Sequence, residues 1–279
     1  MALLSIRRAC SLLSLTPSHL RTHLSTYPVL PLHLPSLISS WRALSSWRLE
    51  DGLQEVREKV GETKIAEVEL GKKGRGYLHH EWQKIHMPFG LFLDAFILGL
   101  VPSSSPLSQL PVAYLAQSDL LDSTPALLED VSPLPHFYVA KEGSLYRRTI
   151  WIGPQGSFTP FHKDPYIGIY SQIVGNKIFH ILPPNASPYL DLSSIPQHAN
   201  TSQIPIPVSR ILSQCSDDLH DLPLHILEKC REKLANAFDM PGACQVELSA
   251  GESLLIPEGW WHAAEGVEGP GVGVGAWFR

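Results

Sequence analysis

Residues 149–182 read TIWIGPQGSFTPFHKDPYIGIYSQIVGNKIFHIL, and their texture decides the fold. The runs Thr149–Ile152, Ile167–Val174 and Lys177–Leu182 are rich in Ile, Val and aromatic residues and are separated by Gly and Pro. Such side chains pack well on a pleated sheet, so each run is predicted to be a strand. Gly175 and Asn176, between the last two runs, carry the signal of a hairpin turn. The pattern resumes at Gln245–Leu248, Ser253–Ile256 and Val272–Phe278. Many short strands protect their edges by closing into two facing sheets, a jelly roll. The expected class is therefore mainly β (α+β), a double-stranded β-helix core with N-terminal helices packed against it.

Upstream of this core, Asp51 is placed to cap a helix through Leu53, Val56 and Val60. Pro88 suits the first position of a second helix, running to Leu100. The apolar stretch from Phe89 to Val101 carries Asp94 and falls short of the about 20 residues a membrane span requires, so it reads as a buried helix. Leu115 to Leu128, interrupted by proline, reads as short helical turns. Residues 185–240, rich in Pro, Ser and Asp, break the strand pattern and hold one helical stretch at His225–Phe238. A long surface insertion between strands, placed to face a substrate, is the expectation. The chain thus divides into residues 28–148, a helical and mixed part, and 149–279, the jelly-roll core with its insertion.

The first residues differ in composition. From Met1 to Leu49 there is no acidic residue, while Arg7, Arg8, Arg21, Arg42 and Arg48 are basic and ten serines are present. An Arg- and Ser-rich, acid-free start has the composition of a mitochondrial transit peptide, so residues 1–27 are expected to be a targeting or disordered leader. An address in the cytoplasm or nucleus is the alternative. Residues 50–279 then hold all 27 acids and 17 of the 22 Lys and Arg, a balance of −10. So acidic a body suits a basic protein or peptide partner better than a phosphate backbone. Cys10, Cys215, Cys230 and Cys244 form no CxxC pair and read as reduced thiols.

His162-Lys-Asp164 puts two potential ligands on one side of a strand, because strand side chains alternate. His262 follows 98 residues after Asp164, in the unit PEGWWH at 257–262. Two histidines and a carboxylate on one face of a metal form the facial triad of non-haem Fe(II) oxygenases, with open positions for a 2-oxo acid and O2. An HxD pair alone is weak in a chain with 13 histidines. The turn-rich approach GPQGSFTP at 153–160 and the position of His262 near the last strands strengthen it.

Taken together, WIGPQGSFTPFHKDP at 151–165, VGNK at 174–177 and IPEGWWH at 256–262 resemble the Jumonji-C, cupin-8-like oxygenases, and within them the subgroup of small hydroxylases. YLAQ at 114–117 and NTSQ at 200–203 add to the similarity, which runs from about Pro28 to Arg279. The resemblance implies Fe(II) held by His162, Asp164 and His262, with 2-oxoglutarate and O2 as co-substrates. It also implies that Lys177, Thr159 and Tyr114 hold the distal carboxylate of 2-oxoglutarate through charge-assisted and hydroxyl hydrogen bonds. One position departs from the pattern: six residues after His162 the subgroup carries Asn, and here stands Gly168. Trp260, Trp261 and Trp277 are expected to wall the pocket.

Three functions fit these residues. Hydroxylation of a protein side chain, of the Arg or Lys type, is the leading one. Demethylation of N-methyl-lysine or hydroxylation of a modified tRNA base is the second. A non-catalytic metal-binding cupin scaffold is the third, which the intact ligand set argues against.

Overall fold

The computed structural model describes residues 6–72, 82–102, 110–213 and 223–279. Cys215 and the serines after Pro102 lie outside these residues. Eleven strands are present among the described residues: β1 (Cys10–Ser11), β2 (Leu32–Leu34), β3 (Ile65–Lys72), β4 (Gln83–Pro88), β5 (Pro111–Ser118), β6 (Leu145–Gly153), β7 (Phe158–Lys163), β8 (Ile167–Leu182), β9 (Cys244–Leu248), β10 (Ser253–Ile256) and β11 (Trp261–Phe278). They join in the order β1-β2-β10-β8-β11-β6-β5-β3-β4, with β7 also paired to β11 and β9 to β8.

The long strands β8 and β11 run antiparallel along their whole lengths. In one half, residues 177–182 of β8 and 261–267 of β11 are flanked by β9 and β7. In the other, residues 167–174 and 272–278 are flanked by β10 and β6. The two half-ribbons are the two sheets of the jelly roll, and the space between them is the site described below.

This arrangement corrects the hairpin reading. Gly175 and Asn176 do not reverse the chain; they lie inside one continuous β8. Gly175 takes φ +72°, and a Cβ there would meet the Pro270 carbonyl oxygen at 2.3 Å, so only glycine lets β8 bend past β11. Asn176 stays paired with Val267. Strands β3, β4 and β5 were not apparent in the sequence, where Pro111 and a short polar segment masked their alternation.

The helices lie outside the barrel. Gln54–Val60 buries Val56 and Val60, with Asp51 Oδ1 accepting from Gln54 N at 3.4 Å. The second expected helix is shorter than predicted. Pro88 is extended and ends β4, Phe89–Phe92 is α-helical, and Leu93–Ile97 continues as one π turn. Phe89, Phe92, Leu93 and Ile97 are buried, as a core helix requires. Among the described residues no helix is long and apolar enough to cross a membrane.

The insertion is less superficial than expected. Its helix spans Leu224–Asp239 and buries Leu227, Leu234 and Phe238. With Leu190, Ile204 and Ile211 these form a second core against Phe161 and Trp261. Hydrophobic residues at helical spacing thus cover the outer face of β7 and β11, which would otherwise expose them to water.

Residues 6–27 are packed onto the body. β1 pairs with β2, the helix Pro17–Leu24 buries Leu20 completely, and the Arg7 guanidinium donates to the carbonyls of Phe238 and Asp239 at 3.1 and 3.2 Å. His136 Nε2 meets the Leu15 carbonyl oxygen at 2.6 Å. A prediction separates a packed segment from a loose leader. Leu20→Ala should cost about 2–4 kcal/mol of stability, read as a lower urea midpoint, because it empties a fully enclosed site; an unchanged midpoint would show residues 6–27 to be dispensable to the fold.

Candidate active site

The register of β7 and β11 assembles the metal-ligating candidates. His262 on β11 lies directly opposite His162 on β7, and Asp164 follows just after β7 ends. Their ligand atoms all lie within 4.8 Å of one another. Asp164 Oδ1 is 4.0 Å from His162 Nε2, and Oδ2 is 3.7 Å from His262 Nε2. The imidazole centroids are 4.1 Å apart.

The backbone fixes which nitrogens face inward. His162 Nδ1 donates to the Pro160 carbonyl at 3.0 Å, and His262 Nδ1 donates to the Trp260 carbonyl at 3.2 Å. A carbonyl can only accept, so both Nδ1 atoms carry the proton and both Nε2 lone pairs point at the gap beside Asp164. Burial, with His162 alongside, brings His262 down to about 4, so it is neutral at physiological pH. Burial pushes the Asp164 carboxyl up, but His262, His162 and the Trp277 indole together hold it below its ordinary value. A neutral imidazole at His262 and a carboxylate at Asp164 are protonation states that suit a divalent cation. The donor set fits an Fe(II) centre.

A cavity extends from these residues between the two half-sheets. At its far end Lys177 is 7% exposed, and its Nζ donates to the hydroxyls of Tyr114 at 3.0 Å and Tyr170 at 3.3 Å. Tyr114 also hydrogen-bonds with Thr159. Burial brings the Lys177 ammonium down to about 7, and among the described residues no carboxylate pairs with it. Burial likewise pushes the Tyr114 and Tyr170 phenols up, so they stay as neutral donors. A buried cation without a counter-ion is costly and is relieved by an incoming anion. Lys177 pairs across the ladder with Gly266, four residues along β11 from His262, or about 13 Å of backbone at about 3.3 Å per residue. Long side chains reaching in from both ends leave room for a short dicarboxylate.

All six residues singled out in the sequence therefore line one cavity. The expectation for the tryptophans holds only in part. Trp277 lines the cavity, whereas Trp260 and Trp261 are buried in separate hydrophobic clusters. Trp151 on β6 takes the wall position, resting where Gly275 has no side chain; a Cβ there would come within 2.4 Å of its ring.

Sequence reasoning missed Tyr170. Strand alternation places it out of phase with Lys177, seven residues on, and only the extra residue at the Gly175 bend returns both to one face. Gln117 ends the stretch YLAQ at 114–117. It bulges from β5 with φ +48°, a conformation that costs energy for a non-glycine residue, and lines the cavity.

Above the metal-ligating candidates the cavity opens into a polar groove. Glu67, Glu69 and Asp119 line it. Glu67 is taken by Lys84 at 2.7 Å, while burial pushes the Glu69 carboxyl up.

Comparison with known proteins gives a consistent picture. A family model described as a cupin-like domain matches residues 28–279. Lysine-specific demethylase JMJ30 of Arabidopsis thaliana is 28% identical over 84% of this chain and 47% of its own length. Lysine-specific demethylase 8 of Xenopus tropicalis is 28% identical over 88% of this chain and 47% of its own length. HSPB1-associated protein 1 of Rattus norvegicus is 29% identical over 47% of this chain and 24% of its own length. The chain spans about half the length of the first two relatives.

The buried ammonium gives a testable pH signature. Unfolded, Lys177 holds its proton up to about 10.4; folded and ligand-free, only up to about 7. Between these values the unfolded state binds the extra proton, so this group makes stability rise with pH from about 7 to 10. Lys177→Met should stabilise the ligand-free protein at pH 7 by about 1–3 kcal/mol and flatten its pH dependence between 7 and 9. Equal urea midpoints for both proteins across that range would contradict the unpaired ammonium.

Proposed function

The chain belongs to the cupin-like domain family, that of the Jumonji-C oxygenases, and from that premise we propose that it is an Fe(II)- and 2-oxoglutarate-dependent oxygenase acting on a protein side chain of the Arg or Lys type. His162, Asp164 and His262 would hold the metal, and Lys177 with Tyr114 and Thr159 the distal carboxylate of 2-oxoglutarate. The observation that carries the reading is the buried, unpaired Lys177 in the same cavity as the ligand set. A metal site alone would suit any cupin, but a desolvated cation needs an anionic partner. With iron, 2-oxoglutarate and O2 bound, such a centre supplies the oxidation of a C–H bond to C–OH, releasing succinate and CO2.

The chain's own residues set the conditions for that chemistry. Lys177 anchors one end of the co-substrate by charge, and the tyrosine hydroxyls fix its angle. Trp151, Tyr170 and Phe179 supply apolar walls that keep water from the far end. At the open end, Glu67, Glu69 and Asp119 stand beside Lys64, Lys84 and Arg147, so the groove offers partners of both signs to a polar side chain.

Two relatives, both named as lysine-specific demethylases, favour a second reading, removal of N-methyl groups from lysine. The two differ in product: hydroxylation retains the oxygen on the substrate, whereas demethylation releases formaldehyde. A mitochondrial address is supported by the composition of residues 1–27; a fluorescent fusion of residues 1–30 that stays cytosolic would overturn it.

Succinate release from 2-oxoglutarate should require Fe(II) and fall more than about 100-fold in His162→Ala, since even supporting residues of such sites cost about 10–100-fold. Mass spectrometry of peptides incubated with both proteins should find one added oxygen in the wild-type sample alone. Fe-independent succinate release would sink the reading, and formaldehyde without an oxygenated product would replace hydroxylation by demethylation.

A further inference from the structure

Asp164 has a partner that no ligand role explains. The Trp277 indole Nε1 donates to Asp164 Oδ2 at 2.8 Å, across 113 residues of sequence. An indole N–H can only donate, so the bond requires an accepting carboxylate. Because the acceptor is charged, the bond is short and strong compared with a neutral one.

On its way to Asp164 the ring passes over Gly168. In the β8–β11 ladder Trp277 stands directly opposite Gly168. A Cβ at Gly168 would lie 3.6 Å from both Cδ1 and Nε1 of the indole, so the ring is laid over bare backbone on its way to the carboxylate. Trp151 packs edge-on against Trp277, with centroids 5.6 Å apart and planes at 62°, and pins the ring from the other side. A side chain longer than a methyl group at 168 would compete for the space the indole fills.

We propose that Trp277 is a positioning residue for the metal centre: laid over Gly168, its indole N–H holds Asp164 Oδ2 and orients the carboxylate toward His162 and His262. The inference rests on the assignment of those three residues as metal ligands. Each histidine is aimed by a backbone carbonyl, Pro160 for one and Trp260 for the other. Asp164 lies just outside β7, where its own carbonyl accepts from Gly259 N at 3.0 Å, and the indole does for its carboxylate what the carbonyls do for the imidazoles.

Co(II) titration of the full chain, followed by its visible d–d bands, tests this. Trp277→Phe keeps the ring and deletes the N–H. Its Co(II) dissociation constant should rise about 10–100-fold with altered band positions, while its metal-free circular dichroism matches wild type. Trp277→His, which restores a ring donor, should recover part of the loss. Equal affinity and identical spectra for Phe and wild type would overturn the proposal. Failure of the wild type itself to bind Co(II) would instead overturn the metal-site assignment beneath it. Should Trp277→Phe not fold, the indole 1H–15N resonance of Trp277 in metal-free Asp164→Ala supplies the answer. A shift upfield with faster solvent exchange supports the bond, and an unmoved resonance refutes it.

Discussion

β11 is hydrogen-bonded on both of its edges for nearly its whole length, to β8 on one side and to β7 and then β6 on the other. A strand so placed cannot slide by one residue without turning every inward side chain outward. That constraint holds the site together. His262 and Trp277 stand on β11 itself, His162 and Thr159 on β7, Lys177 and Tyr170 on β8, and Trp151 on β6. Of the candidate metal ligands only Asp164 lies outside a strand, in the short connection from β7 to β8, and its carboxylate has the indole. Displacing β11 would therefore separate the ligands from one another and from Lys177 at once.

Electrostatically the cavity has two unlike ends. Two imidazoles with inward lone pairs and one carboxylate form an electron-rich end, ready for a cation. A desolvated ammonium framed by phenol hydroxyls forms the other, ready for an anion. Neither end is satisfied by the protein alone, which concentrates the cost of buried polarity in one small volume. Sites that carry such cost without ligand are ones where ligand binding also stabilises the fold.

The cluster of His162, Asp164 and His262 was legible because its signal is local and chemical, HxD at 162–164 and the WWH unit at 260–262, whereas Lys177 stood out only through the family resemblance. The jelly-roll class was legible from the length and composition of the strand-like runs. Topology at Gly175 was not. A glycine followed by asparagine reads the same whether the chain reverses or merely bends, and what distinguishes the two is the Pro270 carbonyl on a strand almost a hundred residues away. Tyr170 was hidden by the same bend, since the inserted residue shifts the parity on which face assignment rests. Trp260 and Trp261 misled for a different reason: large aromatics beside a ligand histidine serve packing as readily as they wall a pocket. The insertion was read as surface because its loops are polar, although its apolar residues at helical spacing cover β7 and β11. Among the N-terminal residues, composition suggested detachment while Leu20 is enclosed.

The run GVGVG at 271–275 bears on how this scaffold could change. Gly273 lies beneath the Tyr170 hydroxyl and Gly275 beneath the Trp151 ring, so the two aromatics occupy volume that β11 side chains would otherwise claim. Swapping either glycine for alanine would displace an aromatic wall without breaking the ladder. At Gly275 the displaced ring, Trp151, is the one packed against Trp277, so chamber shape and the setting of Asp164 are linked there. At Gly273 the displaced ring, Tyr170, is a partner of Lys177, so the same methyl group would reach the opposite end of the chamber.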